Sequence, residues 1–367
     1  MRHSPAAAAA GVPRPPARRP ALRVVSRDPL AEPAGPPLLR AALPAELRGR
    51  SRDGGELTVV DRERGTVEHT VFRDIGRHLR SGDLLVVNTS RVLPAAVAAR
   101  RSDGTAVQLR PAVRRAASWD ALAVEPGGAH DPVGLRAGET LILPGGTVAA
   151  VEASRPDLPH VWRLRLDGAA ALDELLRFGE PIRYSYVPQP VPLEHYQPVY
   201  ATVPGSAESP SAGRPFTWEL LLGLRRAGVG LAPIVLHTGL SSLQDDAADA
   251  EHHLAEEWFE VPEETAAAVA AARRVVAVGT TVVRALETAA TGDHAVAPSR
   301  GWTSLAISPD TRLRAVDAML TGLHETGASH LSMVEALVDG RLLTRALDEA
   351  RGLGHLWHEF GDSLLVI

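Results

Sequence analysis

Residues 84–87 and 275–278 are short, uninterrupted apolar runs, the second β-branched at three of its four positions, and each reads as a buried strand. The second is closed by Gly279-Thr280-Thr281, after which Val282, Val283, Leu286 and Ala290 recur at helical spacing. Strand, tight turn and helix thus follow one another. The first turn of such a helix offers free backbone N–H groups and a partial positive charge to an anionic or polar ligand group. A further strand is expected over 231–237, and a hairpin joins 57–60 to 67–71 with Gly65 at its turn. Helices are expected over 72–79, over 171–178, from a Thr217 N-cap to about Gly228, and from Pro262 with Glu263 and Glu264 in the first turn. Two more are expected over 329–338 and 341–351, before a closing strand at 363–367. Strands and helices alternate from 217 to 290, which predicts an α/β fold with a mixed, mostly parallel sheet.

Between about 95 and 166 the pattern changes. Short β-like runs at 106–109, 122–124, 140–143, 148–151 and 161–166 are spaced by Gly, Pro and Asp turns, with no long helical period. Such spacing predicts a small antiparallel β-barrel inserted in the larger domain. The expected organisation is a disordered Ala/Pro/Arg-rich tail at 1–40, an α/β domain from 41–95 and 167–367, and the barrel at 96–166. The irregular stretches 181–200 and 205–216 are long enough to expect a functional role.

Composition narrows the chemistry by what is missing. The chain has no Cys, which removes thiol catalysis, Cys-ligated zinc, iron–sulfur clusters and disulfides. It has no Lys either, so all 39 basic side chains are Arg, and Schiff-base, Walker-A and kinase-type lysines are excluded. A net charge of −5 argues against a broadly basic, nucleic-acid-coating surface and leaves room for a local basic groove. Neither a signal peptide nor a membrane span is expected, and a cytoplasmic location is.

Candidate chemistry sits at the ends of the strands. Asn88-Thr89-Ser90-Arg91 follows the 84–87 run, at the end where open α/β sheets bind ligands. His237 closes the 231–237 strand and is followed by Thr238, and His324 lies in a loop after Thr321. Imidazoles titrate near neutrality, so convergence of His237, His324, Arg284 and several hydroxyls would make an acid/base site. Arg284 and Glu287 share one helix face and are expected to pair there, or Arg284 to meet a ligand carboxylate. Glu251-His252-His253 lacks a third ligand at sensible spacing, so no metal is expected. No G-x-G-x-x-G follows a strand, and no serine has a nucleophile-elbow context.

Read together, the motifs resemble a known family. Gly82-Asp83-Leu84-Leu85-Val86-Val87-Asn88-Thr89-Ser90-Arg91-Val92-Leu93-Pro94-Ala95 resembles the GDLLVxNDTRVxPAR segment of S-adenosylmethionine:tRNA ribosyltransferase-isomerases. Tyr196-Gln197-Pro198-Val199-Tyr200-Ala201, Pro210-Ser211-Ala212-Gly213, Val278 to Glu287, Val316 to Thr321 and Phe360-Gly361-Asp362 are similar to the family's other motifs, in order, from about Leu43 to Ile367. There are departures: the His of PTAGLHF is Pro215, the Asp of NDTR is Thr89, and PLPPY becomes Pro181-Ile182-Arg183-Tyr184-Ser185-Tyr186.

The resemblance implies an α/β domain with an inserted barrel. It implies S-adenosylmethionine as a consumed substrate, without metal, and tRNA as the partner. The ribosyl part would be transferred and isomerised onto a 7-aminomethyl-7-deazaguanine base, with adenine and methionine released. The sulfonium acidifies its C5′ protons, so the protein must supply a base, polar contacts to ribose and adenine, and exclusion of water. Carried onto this chain, His237 and His324 become acid/base residues with Asp317 orienting one of them. Asn88, Ser90, Arg91, Ser211, Gly213, Thr238, Gly279, Thr280, Thr281, Arg284, Glu287 and Thr321 become substrate-binding residues. Two other readings stay open: an S-adenosylmethionine-consuming enzyme with a small deazapurine- or nucleoside-like acceptor, and a non-catalytic S-adenosylmethionine- or RNA-binding module.

Overall fold

The continuous apolar runs become the centre of a sheet because both of their faces must be buried. In the computed structural model, Leu84, Val86, Val275 and Ala277 pack on one face with the helices Glu263–Ala271, Thr280–Ala289 and Gly340–Gly352. Leu85, Val87, Val276 and Val278 pack on the other, with the 3-10 turn Phe72–His78 and the helix Trp218–Arg226. Strands sandwiched in this way read as apolar at every position rather than at alternate ones. The structure describes residues 37–115, 117–127, 131–156, 158, 160–166, 168–239, 256–324 and 329–367.

The sheet has nine strands. In spatial order they are Ser299–Thr303, Glu257–Val261, Gly230–Leu236, Asp83–Asn88, Arg274–Val278, Ala318–Gly322, Ser363–Val366, Glu56–Asp61 and Thr66–Val71. The four from Gly230–Leu236 to Ala318–Gly322 are mutually parallel. Ser363–Val366 runs antiparallel to Ala318–Gly322 but parallel to Glu56–Asp61, and the outermost strands on both sides pair antiparallel. The sheet is therefore mixed, with a parallel centre. All four central strands end on the same edge, and so place residues 88–92, 237–239, 279–281 and 321–324 side by side.

The hairpin turns at Gly65 with φ +65°, a left-handed conformation that glycine takes without strain. Thr217 caps the helix Trp218–Arg226, its hydroxyl accepting from Leu220 N–H at 3.1 Å. The helix after Pro262 begins one residue later than read, with Pro262 itself as N-cap.

Between Ser90–Val92 and Val203–Ser206 the chain makes an excursion. Its strands close an antiparallel barrel in the order Val148–Ser154, Val161–Arg165, Ser118–Val124, Ala106–Arg114, Val97–Arg101 and Thr140–Ile142. Leu109, Leu141, Ala149 and Leu164 fill its centre, and the core extends to Ala171 and Leu175 of the helix Gly168–Phe178. Glu174 of that helix accepts from the N–H groups of Gly145 at 2.9 Å and Thr147 at 3.1 Å, fastening a barrel turn. Ser90–Val92 and Val203–Ser206, where the excursion leaves and returns, pair as a parallel ribbon.

The tail at 1–36, the Glu251-His252-His253 run and Leu240 to Ser242 lie outside the described residues. No described helix is long and apolar enough to cross a membrane.

Candidate functional site

Asn88 ends its strand fully buried and uses its whole amide to hold neighbouring elements together. Nδ2–H donates to the Leu236 carbonyl at 2.8 Å and to Thr281 Oγ1 at 3.3 Å, while Oδ1 accepts from Leu236 N–H and Ser90 N–H, both at 3.0 Å. One side chain thereby ties three strand ends into one edge.

His237 follows the Gly230–Leu236 strand, and its N–H donates to the Trp258 carbonyl at 2.9 Å. Its ring stacks on Trp258 with centroids 5.3 Å apart. It also lies against the backbone of Gly205, where a Cβ would overlap the imidazole. Nδ1 is 2.8 Å from Ser90 Oγ, Ser90 Oγ is 2.6 Å from Ser206 Oγ, and Ser206 Oγ accepts from Thr238 N–H at 3.0 Å. The Thr238 hydroxyl donates to the Glu208 carbonyl. Burial pulls the His237 pKa down to about 4, so the ring is neutral at physiological pH.

Gly279 enters the next helix with φ +95° and donates its N–H to the Leu320 carbonyl at 2.8 Å. Thr280 and Thr281 open that helix, and Ala212 of the 3-10 turn Ser211–Gly213 lies over Gly279. Gly213 is required by close approach, since a Cβ there would overlap the Tyr200 hydroxyl. Thr321 lies buried in the strand Ala318–Gly322, and Leu323 and His324 follow it on the same edge. Three inter-strand spacings separate His237 from this end, about 14 Å. The two imidazoles flank the Asn88–Gly279 region and do not meet.

Three expected roles change. Asp317 sits at the other end of its strand, where Oδ2 accepts from Val275 N–H at 2.7 Å and Oδ1 lies 3.4 Å from His294 Nε2. It therefore orients neither His237 nor His324. Arg284 does not pair with Glu287: its guanidinium forms a buried ion pair with Glu257 and donates to the Leu305 carbonyl at 3.0 Å. Glu287, two helical turns from Gly279, instead accepts from the N–H groups of Arg314, Ala315 and Val316 at 2.8, 2.9 and 3.1 Å. Arg91 is exposed where Ser90 is buried, because alternate residues of a strand point to opposite faces. Glu257 also accepts from Gly239 N–H at 2.8 Å, so Arg284 steadies the loop after His237 indirectly.

Sequence reasoning missed Gly205, Ser206, Glu257 and Trp258. Ser206 arrives through a β-bulge between Pro204 and Ser206, and only the pairing with Ser90–Val92 shows where its hydroxyl points. The barrel borders this edge: Val113 comes within 3.7 Å of a Cβ built on Gly239, and Arg115 pairs with Glu256 at 3.2 Å. Among the described residues, no three His, Asp or Glu side chains gather as a metal site.

An open sheet with a parallel centre, a barrel inserted after one of its central strands, and imidazole, hydroxyl and helix-N-terminal groups along the carboxyl edge define an α/β enzyme built to hold a polar ligand at that edge. The chain belongs to the queuosine biosynthesis protein family, whose model matches residues 36–366. It is similar to the S-adenosylmethionine:tRNA ribosyltransferase-isomerase of Pelobacter propionicus, 35% identical over 341 residues that make up 88% of this chain and 97% of the relative. The protein of the same name from Thermus thermophilus is 37% identical over 326 residues, 86% and 93% of the two chains. Among solved structures it is similar to the S-adenosylmethionine tRNA ribosyltransferase of Thermotoga maritima, with a TM-score of 0.50, 27% identity, and coverage of 92% of this chain and 99% of that one.

Proposed function

We propose that this protein transfers and isomerises the ribosyl moiety of S-adenosylmethionine onto a 7-aminomethyl-7-deazaguanine base in tRNA, releasing adenine and methionine. The observation that carries this reading is the match to relatives of that activity along 88% of the chain. The strand-end motifs of that match fall on one edge of the sheet. S-adenosylmethionine lies along the edge, with the helix that Gly279 opens presenting its N-terminus, at Thr280 and Thr281, to the nucleoside or methionine carboxylate. Asn88 acts through the scaffold it ties together rather than by free polar atoms. His237 and His324 serve the proton-transfer and polar-contact roles at the two ends of the edge.

Chromatography of the purified protein with S-adenosylmethionine tests the reading, run with precursor tRNA, with free deazapurine nucleosides and with neither. Adenine and methionine released only with the tRNA is the expected result. Release with a free nucleoside but not with tRNA would replace the acceptor, and binding without any release would leave only a ligand-binding module. Glutamine at His237 or at His324 is expected to lower kcat on the tRNA substrate. Wild-type kcat in both variants would remove the two imidazoles from the mechanism.

A further inference from the structure

We infer that Ser206 and Ser90 are positioning residues that fix His237 in the tautomer protonated on Nε2, so that the ring presents an N–H donor rather than a proton acceptor. This rests on reading the 88–90 and 237–238 edge as part of the reaction site. Direction follows from counting protons. A backbone N–H can only donate, so Ser206 Oγ is the acceptor in its 3.0 Å bond with Thr238 N–H. Each serine hydroxyl then has one proton to place. Among the described residues, the acceptor within reach of the Ser206 proton is Ser90 Oγ at 2.6 Å. Were Ser90 to donate to Ser206 instead, the Ser206 proton would be stranded at a fully buried site, where such an orphan is costly. Ser206 therefore donates to Ser90, and the Ser90 proton goes to His237 Nδ1 at 2.8 Å. A neutral imidazole that accepts at Nδ1 carries its own proton at Nε2.

The surroundings hold this arrangement in place. Trp258 stacks on the ring, the missing Gly205 side chain lets it lie on the backbone, and the bulge before Ser206 turns that hydroxyl inward. The depressed His237 pKa agrees with a ring that stays neutral through the working pH range. A fixed Nε2–H donor suits an anionic or lone-pair atom of the bound substrate, such as a ribose oxygen or a departing adenine nitrogen. Removal of the C5′ proton then falls to another group.

The experiment is 15N NMR of the imidazoles in the full-length, ligand-free protein, with the His237 signals assigned by their loss in His237→Gln. Wild type is expected to show a single tautomer at about pH 7, with Nδ1 unprotonated and Nε2 protonated. Ser206→Ala removes the donor that sets the direction of Ser90, and Ser90→Ala removes the bond to the ring. Both are expected to mix the two tautomers, while Ser206→Thr, which keeps the hydroxyl, retains one. In turnover, Ser206→Ala is expected to lower kcat by about ten- to hundredfold with KM little changed, and Ser206→Thr to recover it. A wild-type ring protonated on Nδ1, or on both nitrogens, overturns the inference even if no variant folds. So does an unchanged tautomer in both alanine variants, or an unchanged kcat in Ser206→Ala. Because the spectra need no substrate, a wild type with the expected tautomer that never releases adenine would overturn the functional reading alone.

Discussion

Arg284 is a residue whose chemistry sequence could name and whose partner it could not. An arginine just inside a ligand-facing helix suggests an anion, yet its guanidinium is buried against Glu257, which in turn accepts from Gly239 N–H. Breaking a buried pair from one side leaves an uncompensated charge. Arg284→Ala and Glu257→Ala are each expected to cost about 3–5 kcal/mol in urea unfolding, with the double variant well short of the sum. Glu359 gives a second test at this scale. It lies near the Tyr184 and Ser209 hydroxyls, and burial pushes its carboxyl up to about 7. A folded pKa above the ordinary 4.5 means that its contribution to stability is complete below that value and is lost as pH rises through 7. Relative to Glu359→Gln, the wild type should therefore lose urea midpoint between about pH 5 and about pH 8. His237 works in the opposite sense: its pKa falls from 6.5 to about 4, so stability drops as pH falls through that window, and His237→Gln should flatten the acid limb. Asn88 and His237 were legible because each closes an apolar run. Ser206 was not, since a serine in an irregular stretch carries no signal until its partner strand is known.

At the level of elements, legibility followed burial. Strands covered on both faces announce themselves as unbroken apolar runs, and the hairpin around Gly65 by its alternation. Glu257–Val261, Ser299–Thr303 and Val97–Arg101 did not stand out, because their burial alternates or is partial and polar residues interrupt them. Ala318–Gly322, buried at four positions of five, was masked by its small residues and the glycine that ends it. Those omissions explain why the sheet reads as more parallel than it is, since two of the strands missed form an antiparallel edge. The turn Ser211–Gly213 offers a clean test of element packing. Gly213→Ala should destabilise by about 1–3 kcal/mol through overlap with the Tyr200 hydroxyl, and Tyr200→Phe should recover part of that loss in the double variant.

For the whole molecule, the composition bounded the chemistry but not the division of the chain. The barrel core takes in Leu93, Ala95, Leu175 and Ile182, and Glu174 fastens one of its turns from outside the strands. We therefore propose that the autonomously folding piece is 93–182 rather than 96–166. The longer segment should give dispersed NMR spectra and a cooperative thermal transition, and the shorter one neither. Its point of attachment has a further meaning. The chain departs for the barrel through Ser90–Val92, which pairs with Val203–Ser206, so Ser90, the hydroxyl that meets the imidazole and is itself met by Ser206, sits where the chain leaves the sheet. An acceptor seated against the barrel would therefore sit one short stretch of backbone from the imidazole, since Ser90 opens the segment that leads into the insertion.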